Sequence, residues 1–338
     1  MLDVITMGGA LRDITFVTDK GRVIKTPEDL TAQQLLAFEY GAKIRSEDVR
    51  VNFGGGACNA AAVFAKMGLS AAVISRVGHD GEGQAIIDNL KKRGVRTDLI
   101  QTDESAGSAF SFIVVDSSGG GGDRVVFSYR GALENMEVKA EYLKDAKWLY
   151  MTGLGKNWKE DLAVVARAVR ENGIKLAWNP GVKEIAGGRK DLDVLLGETE
   201  LLIVNKDEAI ELVLGDSDSI MSAEEVNDRT KLIEAIKRWG AKNVVITDGK
   251  NGACLRTEEA IFSVSAFIQA QTDTTGAGDA FGSGLLAGYI LTEKWDMALK
   301  YGILNSSGEV TEYGAESGIM TRQEIESKLG EVEIQAIG

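Results

Sequence analysis

Apolar positions along the chain fall into two alternating rhythms. "LDVITMGG" is a short apolar run ending in glycines, "GACNAAAVFAKMG" is an alanine-rich stretch with helical spacing closed by Gly68, "SAAVISRVG" is again strand-like, and "GEGQAIIDNLKKRG" is a helix closed by Gly94. The alternation returns in "AKWLYMTG", "KEDLAVVARAVRENG", "IKLAWNPG", "ELLIVN", "KDEAIELVLG", "RTKLIEAIKRWG" and "KNVVITDG". Repeated β-α units predict an α/β fold: a mostly parallel sheet covered by helices on both faces. Ligands of such sheets sit beyond the C-terminal ends of the strands.

Two stretches break the rhythm. Residues 14–53 hold the strand-like "DITFVTD", a segment with helical spacing around "EDLTAQQLLAFEYG", and the strand-like "DVRVNF". Residues 107–130 read as a hairpin, "SAFSFIVVD" and "DRVVFSYR" around a four-glycine tip. Together they predict a small β appendage, either a lid over a ligand cleft or a dimerisation surface. No repeat or linker divides the rest, so residues 1–338 read as one domain with these lid segments inserted.

Composition narrows the classes. With 338 residues, 44% apolar content and two prolines, the chain can bury a large core. A net charge of −13 without a basic block argues against nucleic acid as a partner and favours small-molecule chemistry. Cys58 and Cys254 are too few and too distant for a disulfide framework or zinc spacing, which fits a reducing cytoplasm. No basic leader precedes an apolar segment, and no window reaches the roughly 18 apolar residues of a membrane span. The lone His79 excludes a histidine pair or cluster.

Candidate chemistry concentrates in "DTTGAGDAFGSGLLAG", residues 273–288. An apolar helix from Ala280 to Leu291 puts Gly276, Ala277 and Gly278 at its N-terminus, where unpaired N–H groups and the helix dipole favour an anion. Asp279 then sits beside a site built for negative charge. It is either a simple helix cap or a base that takes a proton from a hydroxyl attacking a phosphoryl group. The turn Gly54–Gly56 leads into a helix bearing Asn59, and Asp13 follows the first strand; each suits ligand hydroxyls, or packing and turn formation. Asn205 and Glu208 share one side of a helix start, as an N-cap pair or as Mg²⁺ ligands through water. Thr247 and Gly249 close a strand as a nucleotide-side loop or a hairpin turn. "GSGLLA" formally matches a dinucleotide-binding pattern and leaves a dehydrogenase open.

This set resembles the ribokinase, or PfkB, family of carbohydrate and nucleoside kinases over nearly the whole chain, in "GGGACNAAAVFAKMG", "NKDE" and "DTTGAGD" taken in that order. The resemblance implies a three-layer α/β/α sandwich with a small β-sheet lid, and an ATP-dependent, Mg²⁺-requiring kinase acting on a primary hydroxyl of a sugar or nucleoside. It implies Asp279 as catalytic base and Gly276, Ala277 and Gly278 as anion hole. Asp13, Gly55, Gly56 and Asn59 become acceptor contacts, joined by Arg130 from "FSYRGA"; Asn205, Thr247, Gly249 and Gly278 fall where ATP binds. Asn205 and Glu208 belong to the Mg²⁺ network, and Asp273, Thr275, Gly314 and Ser317 resemble a loop pair for a monovalent cation such as K⁺. Gly56 replaces a lysine of many ribokinase-like members, and Tyr40 or Lys43 are expected near the pocket. A homodimer through the lid is one use of that surface, and a non-catalytic sugar or nucleotide sensor is the alternative function.

Overall fold

The computed structural model describes residues 1–26, 34–117, 124–219, 221–267, 275–311 and 314–337. Its main sheet grows outward from Leu2–Met7, which pairs in parallel with Ala71–Gly78 on one side and Ala146–Met151 on the other. Beyond Ala71–Gly78 lies Ile100–Asp103; beyond Ala146–Met151 follow Lys175–Trp178, Thr199–Asn205 and Asn243–Thr247, all parallel. The chain thus leaves its first strand in both directions. The reversal opens a crevice at the C-terminal ends of the central strands. Ala253–Arg256, Ile261–Val264 and Ile334–Ile337 extend one edge in antiparallel order, so the sheet is mixed.

Alternating side chains feed two cores. Leu202, Val204, Val244 and Ile246 join Trp178, Leu162 and Leu212 on one face of the sheet. Leu201, Ile203 and Val245 point the opposite way, onto Phe64, Tyr150, Phe281 and Leu285. Burial on both faces explains why these strands read as unbroken apolar runs, each large side chain contributing about 1.5–3 kcal/mol.

The helices Ala277–Thr292 and Trp295–Glu309 pack tightly against each other. A Cβ on Gly288 would lie 2.6 Å from Tyr301 Cβ and 2.9 Å from Ala298 Cα, so Gly288, with Gly284 against Asn305, sets a helix crossing, while Gly282 packs on Tyr150 and Ile203 of the sheet. These glycines lie inside the helix, not at a strand-to-helix turn, and the dinucleotide-binding reading is withdrawn. Buried Asn305 donates to the Ala280 carbonyl and accepts from the Met320 amide, fixing the pair to the following loop.

A separate four-stranded sheet, in the order Asp48–Gly54, Leu11–Thr18, Phe110–Asp116 and Arg124–Tyr129, is built from the two stretches that break the β-α rhythm. The expected helix around "EDLTAQQLLAFEYG" is not what forms at its described end. Gln34–Ala37 is a strand paired with Arg22–Lys25, because a ladder to a nearby strand outcompetes a short amphipathic turn with no core to cover. Residues 27–33 and the hairpin tip 118–123 lie outside the described residues. Tyr40 is fully exposed and Lys43 is exposed, so neither approaches a pocket. Among the described residues no helix is long and apolar enough to cross a membrane.

Gly288→Val should destabilise the protein by about 1–3 kcal/mol, as overpacking of a close helix crossing does. Chemical denaturation checks this; an unchanged midpoint would mean that the crossing is loosely packed.

Candidate functional site

The helix Ala277–Thr292 starts three residues earlier than its apolar pattern suggests, with Gly276 as N-cap in the left-handed region at φ 80°. A side chain there would meet Ala315, whose Cβ lies 2.5 Å from the position of an added Cβ. Ala277, Gly278 and Asp279 consequently occupy the first turn, whose N–H groups have no partner within the helix. Opposite stands the helix Gly56–Lys66, entered through Gly55 at φ 95°. An added Cβ on Gly55 would fall 2.5 Å from the Gly9 carbonyl carbon, so only glycine permits this turn to lie on the end of the first strand. Asn59, buried one turn into that helix, donates from Nδ2 to Asp279 Oδ2 at 2.8 Å across 220 residues of sequence.

Two cavities meet at Asp279. One, of about 220 Å³, lies under the lid and is lined by Asp13, Asn59, Ser111, Arg124, Thr275 and Ala315. The other, of about 250 Å³, runs along the strand ends past Asn179, Asn205, Glu208, Thr247 and Gly278. Gly276 and Asp279 line both. The two cavities thus share a wall at the first turn of this helix.

The electrostatics match that position. Asp279 is partly accessible from the cavities yet densely surrounded by protein, and burial raises its pKa above the ordinary carboxylate value. The Asn59 amide opposes the rise, and the nearby Asp13 charge adds to it. Burial likewise raises Glu208. Asn205 and Glu208 form a reciprocal capping box, Oδ1 accepting from the Glu208 amide at 2.9 Å and Oε2 from the Asn205 amide at 2.8 Å. The capping geometry therefore exists, and it holds a carboxylate at the rim of the second cavity.

Other expected residues scatter. Gly56 packs against Thr152 beneath the turn, and Gly249 lies in the hairpin turn after Asn243–Thr247, leaving Thr247 at the cavity. Arg130 turns away from the cavity: it pairs with Glu134 at 2.7 Å and donates to the Leu154 carbonyl at 2.6 Å. The strand ends at Tyr129, so Arg130 leaves the sheet, whereas Arg124 and Val126 share the cavity-facing side. Alternation counted from Val126 would have found Arg124 in the sequence. Ser111, the register partner of Asp13, and Asn179, at the end of a parallel strand, were also missed. Gly314 abuts Asn52 of the lid, Ser317 lines a different cavity beside Lys66, and Asp273 lies outside the described residues.

The architecture is shared with solved kinases. A ribokinase from Arabidopsis thaliana complexed with ribose and ATP superposes with a TM-score of 0.77 at 20% identity, covering 97% of this chain and 98% of that one. A Burkholderia thailandensis nucleoside kinase in complex with inosine gives 0.76 at 20% identity over 97% and 98%. The fold is therefore ribokinase-like: a large α/β sandwich with a small sheet lid. In sequence, a Haemophilus influenzae ribokinase is 25% identical over 302 residues, 87% of this chain and 94% of its own. The family model described as pfkB family carbohydrate kinase matches residues 28–322, and the chain belongs to that family, as an ATP-dependent carbohydrate kinase.

Because folding raises the Asp279 pKa, the folded state binds this proton more tightly than the unfolded state. The associated penalty is absent below the unfolded carboxylate value and complete above the folded one. Asp279→Asn should therefore raise the melting temperature at neutral pH, with a gain that shrinks as pH falls through the carboxylate range. A melting series from pH 4 to 8 reads this; a variant less stable than wild type at pH 7 would contradict the assigned burial penalty.

Proposed function

We propose that the protein transfers the γ-phosphoryl group of ATP to a primary hydroxyl of a sugar or nucleoside, with the acceptor in the lid cavity and the nucleotide along the strand ends. The observation that carries this reading is the junction of the two cavities at Gly276 and Asp279. In it, Asp279 takes the hydroxyl proton as the hydroxyl oxygen attacks phosphorus and the bond to ADP breaks. Its raised pKa makes it a stronger base than a free carboxylate, and the Asn59 amide orients it. The amides of Gly276, Ala277 and Gly278 at the helix start face the charge that develops on the phosphoryl oxygens. Asp13 and Asn59, with Gly55 and Gly56 shaping the turn, hold the acceptor hydroxyls; the lid excludes water.

Mg²⁺ is the expected companion of the phosphates, and the donor set fits it. Asn205, Asn179 and the Glu208 carboxylate supply oxygen donors at the rim of the phosphate-side cavity. Among the described residues there is no cluster of three or more His, Cys, Asp or Glu that could cage a metal, which suits an ion held mainly by phosphate and water. Thr247 and Gly278 border the nucleotide, with Gly249 behind Thr247. A monovalent cation such as K⁺ beside the anion hole would use the segments around Thr275 and Gly314. Val49, Val51, Val125 and Phe127 leave an apolar face exposed on the side of the lid away from the cavity, which supports a homodimer through it. ATP as donor and the buried free thiols of Cys58 and Cys254 suit the cytoplasm.

ADP formation with Mg·ATP and K⁺ should depend on one acceptor class in a panel of pentoses, hexoses, sugar acids, nucleosides and sugar phosphates. Asp279→Asn should reduce that turnover by about 10²–10⁴-fold. Near-native turnover of the variant would falsify the base assignment. Asn59→Ala removes the hydrogen bond that favours the charged carboxylate, so the acidic limb of its pH–rate profile should move to higher pH. A limb that stays in place or moves down would show that a different group controls it.

A further inference from the structure

The segment 314–318, "GAESG", lies against the start of the helix Ala277–Thr292. Ala315 makes the contact: its Cβ stands 2.5 Å from the position of a Cβ added to Gly276, and it lines the lid cavity. On one side of it Gly314, at φ 91°, abuts Asn52, the register partner of Asp13 in the lid sheet; on the other, Gly318 approaches the Gly308 carbonyl. Four of the five side chains in this segment are absent or small, so Glu316 alone is long enough to tie it to a distant element. That residue is buried and turned towards the helix Gly81–Lys92, where its Oε2 accepts from Asn89 Nδ2 at 3.0 Å and stands 2.9 Å from Arg93 Nη2.

Arg93 is the C-cap of that helix, an end whose dipole favours a cation and repels a carboxylate. Burial, and to a smaller extent the Asp13 charge, raises the Glu316 pKa, while the Arg93 charge and the hydrogen bonds from Asn89 and Arg93 oppose the rise. The far end of the helix is fixed to the root of the lid. Its N-cap Asp80 accepts from the Ser108 amide at 2.7 Å and hydroxyl at 2.6 Å, and Glu82 pairs at 3.3 Å with Arg12, the neighbour of Asp13. A buried ion pair is a weak source of stability, because apolar side chains of similar volume avoid its desolvation. What this one supplies is a single register: a shift of one residue along 314–318 would take Ala315 off Gly276 and part the carboxylate from its arginine. We infer that Glu316 is a positioning residue for phosphoryl transfer: its bridge to Arg93 and Asn89 holds Ala315 against Gly276, and so fixes the direction in which the amides of the helix start point.

This inference rests on the proposed reading of the helix start as the phosphoryl site, and the experiment separates the two. Steady-state kinetics would be measured for wild type, Glu316→Ala, Glu316→Gln, Arg93→Met, the double variant Glu316→Ala/Arg93→Met and Asp279→Asn with Mg·ATP and the best acceptor of the panel, with thermal melting as the folding control. Glu316→Ala is expected to lower kcat by about 10- to 100-fold, the range for a displacement of about 1 Å at a reacting centre, while KM for ATP stays within about threefold. Glu316→Gln, whose amide oxygen still accepts from Asn89 and Arg93, should keep kcat within about fivefold of wild type. The double variant should be no slower than Glu316→Ala alone, since both substitutions remove one bridge. A folded Glu316→Ala with kcat within about threefold of wild type overturns the inference, and so does a loss confined to acceptor KM. A Glu316→Gln as slow as Glu316→Ala, or a double variant whose losses multiply, overturns it as well. If Glu316→Ala does not fold, Arg93→Met decides: a kcat loss of about tenfold or more with KM for ATP kept upholds the inference, and a smaller loss overturns it. An active Asp279→Asn overturns the site reading instead, whatever Glu316 does.

Discussion

The structure turns on a carboxylate held at the start of a helix and away from bulk water. Asp279 is stabilised as an anion by the helix dipole and the Asn59 amide, and destabilised by burial and by Asp13. Among the described residues no ion pair removes either tendency. The balance leaves a carboxylate with a raised pKa facing two cavities, and the surrounding elements can be understood as what keeps it there. The helix bearing Asn59 must stand against the helix bearing Asp279, which requires the first strand, the turn at Gly55 and the crossing near Gly288 to be in place together.

Close backbone approach is the means. Gly55 lies on Gly9, Gly276 on Ala315, and Gly288 on Tyr301, each at a distance that leaves no room for a Cβ. The first two lie at the C-terminal end of the sheet; the third lies further along the Ala277–Thr292 helix, beside Tyr289, which packs on Trp148 near the start of its strand. The large apolar cores on the two faces of the sheet supply the rigidity that lets such contacts persist, because close-packed interiors transmit small displacements instead of absorbing them. The lid is the opposite case. Its strand Arg124–Tyr129 is exposed along its length, and its contribution to the site passes through a few side chains such as Arg124 and Ser111.

Membership of the carbohydrate kinase family gives the chemistry its class, while the cavities give it a layout. The capping box of Asn205 and Glu208 shows how a local structural role can place a carboxylate at a cavity. The hydrogen bonds that cap the helix also fix the Glu208 carboxylate at the rim of the cavity along the strand ends. A side chain held in place by its own helix start needs less ordering when anything binds beside it.

The β-α order, the parallel core, the two stretches that build the small sheet and the glycine-rich helix start with an acid beside it are all legible in the chain. Those features are local: they depend on periodicity, glycine placement and capping residues within a few positions of one another. Only the tertiary structure decided which residues meet. The Asn59–Asp279 bond spans 220 residues, and no local pattern announces it. "FSYR" pointed to Arg130, but the end of the strand sends that side chain to Glu134 and leaves Arg124 to face the cavity. The helical spacing near Gln34 yielded to a strand because pairing with Arg22–Lys25 was available there. Local energies choose each element, but the ladders, close contacts and cavity walls that select partners exist only once distant segments are packed together.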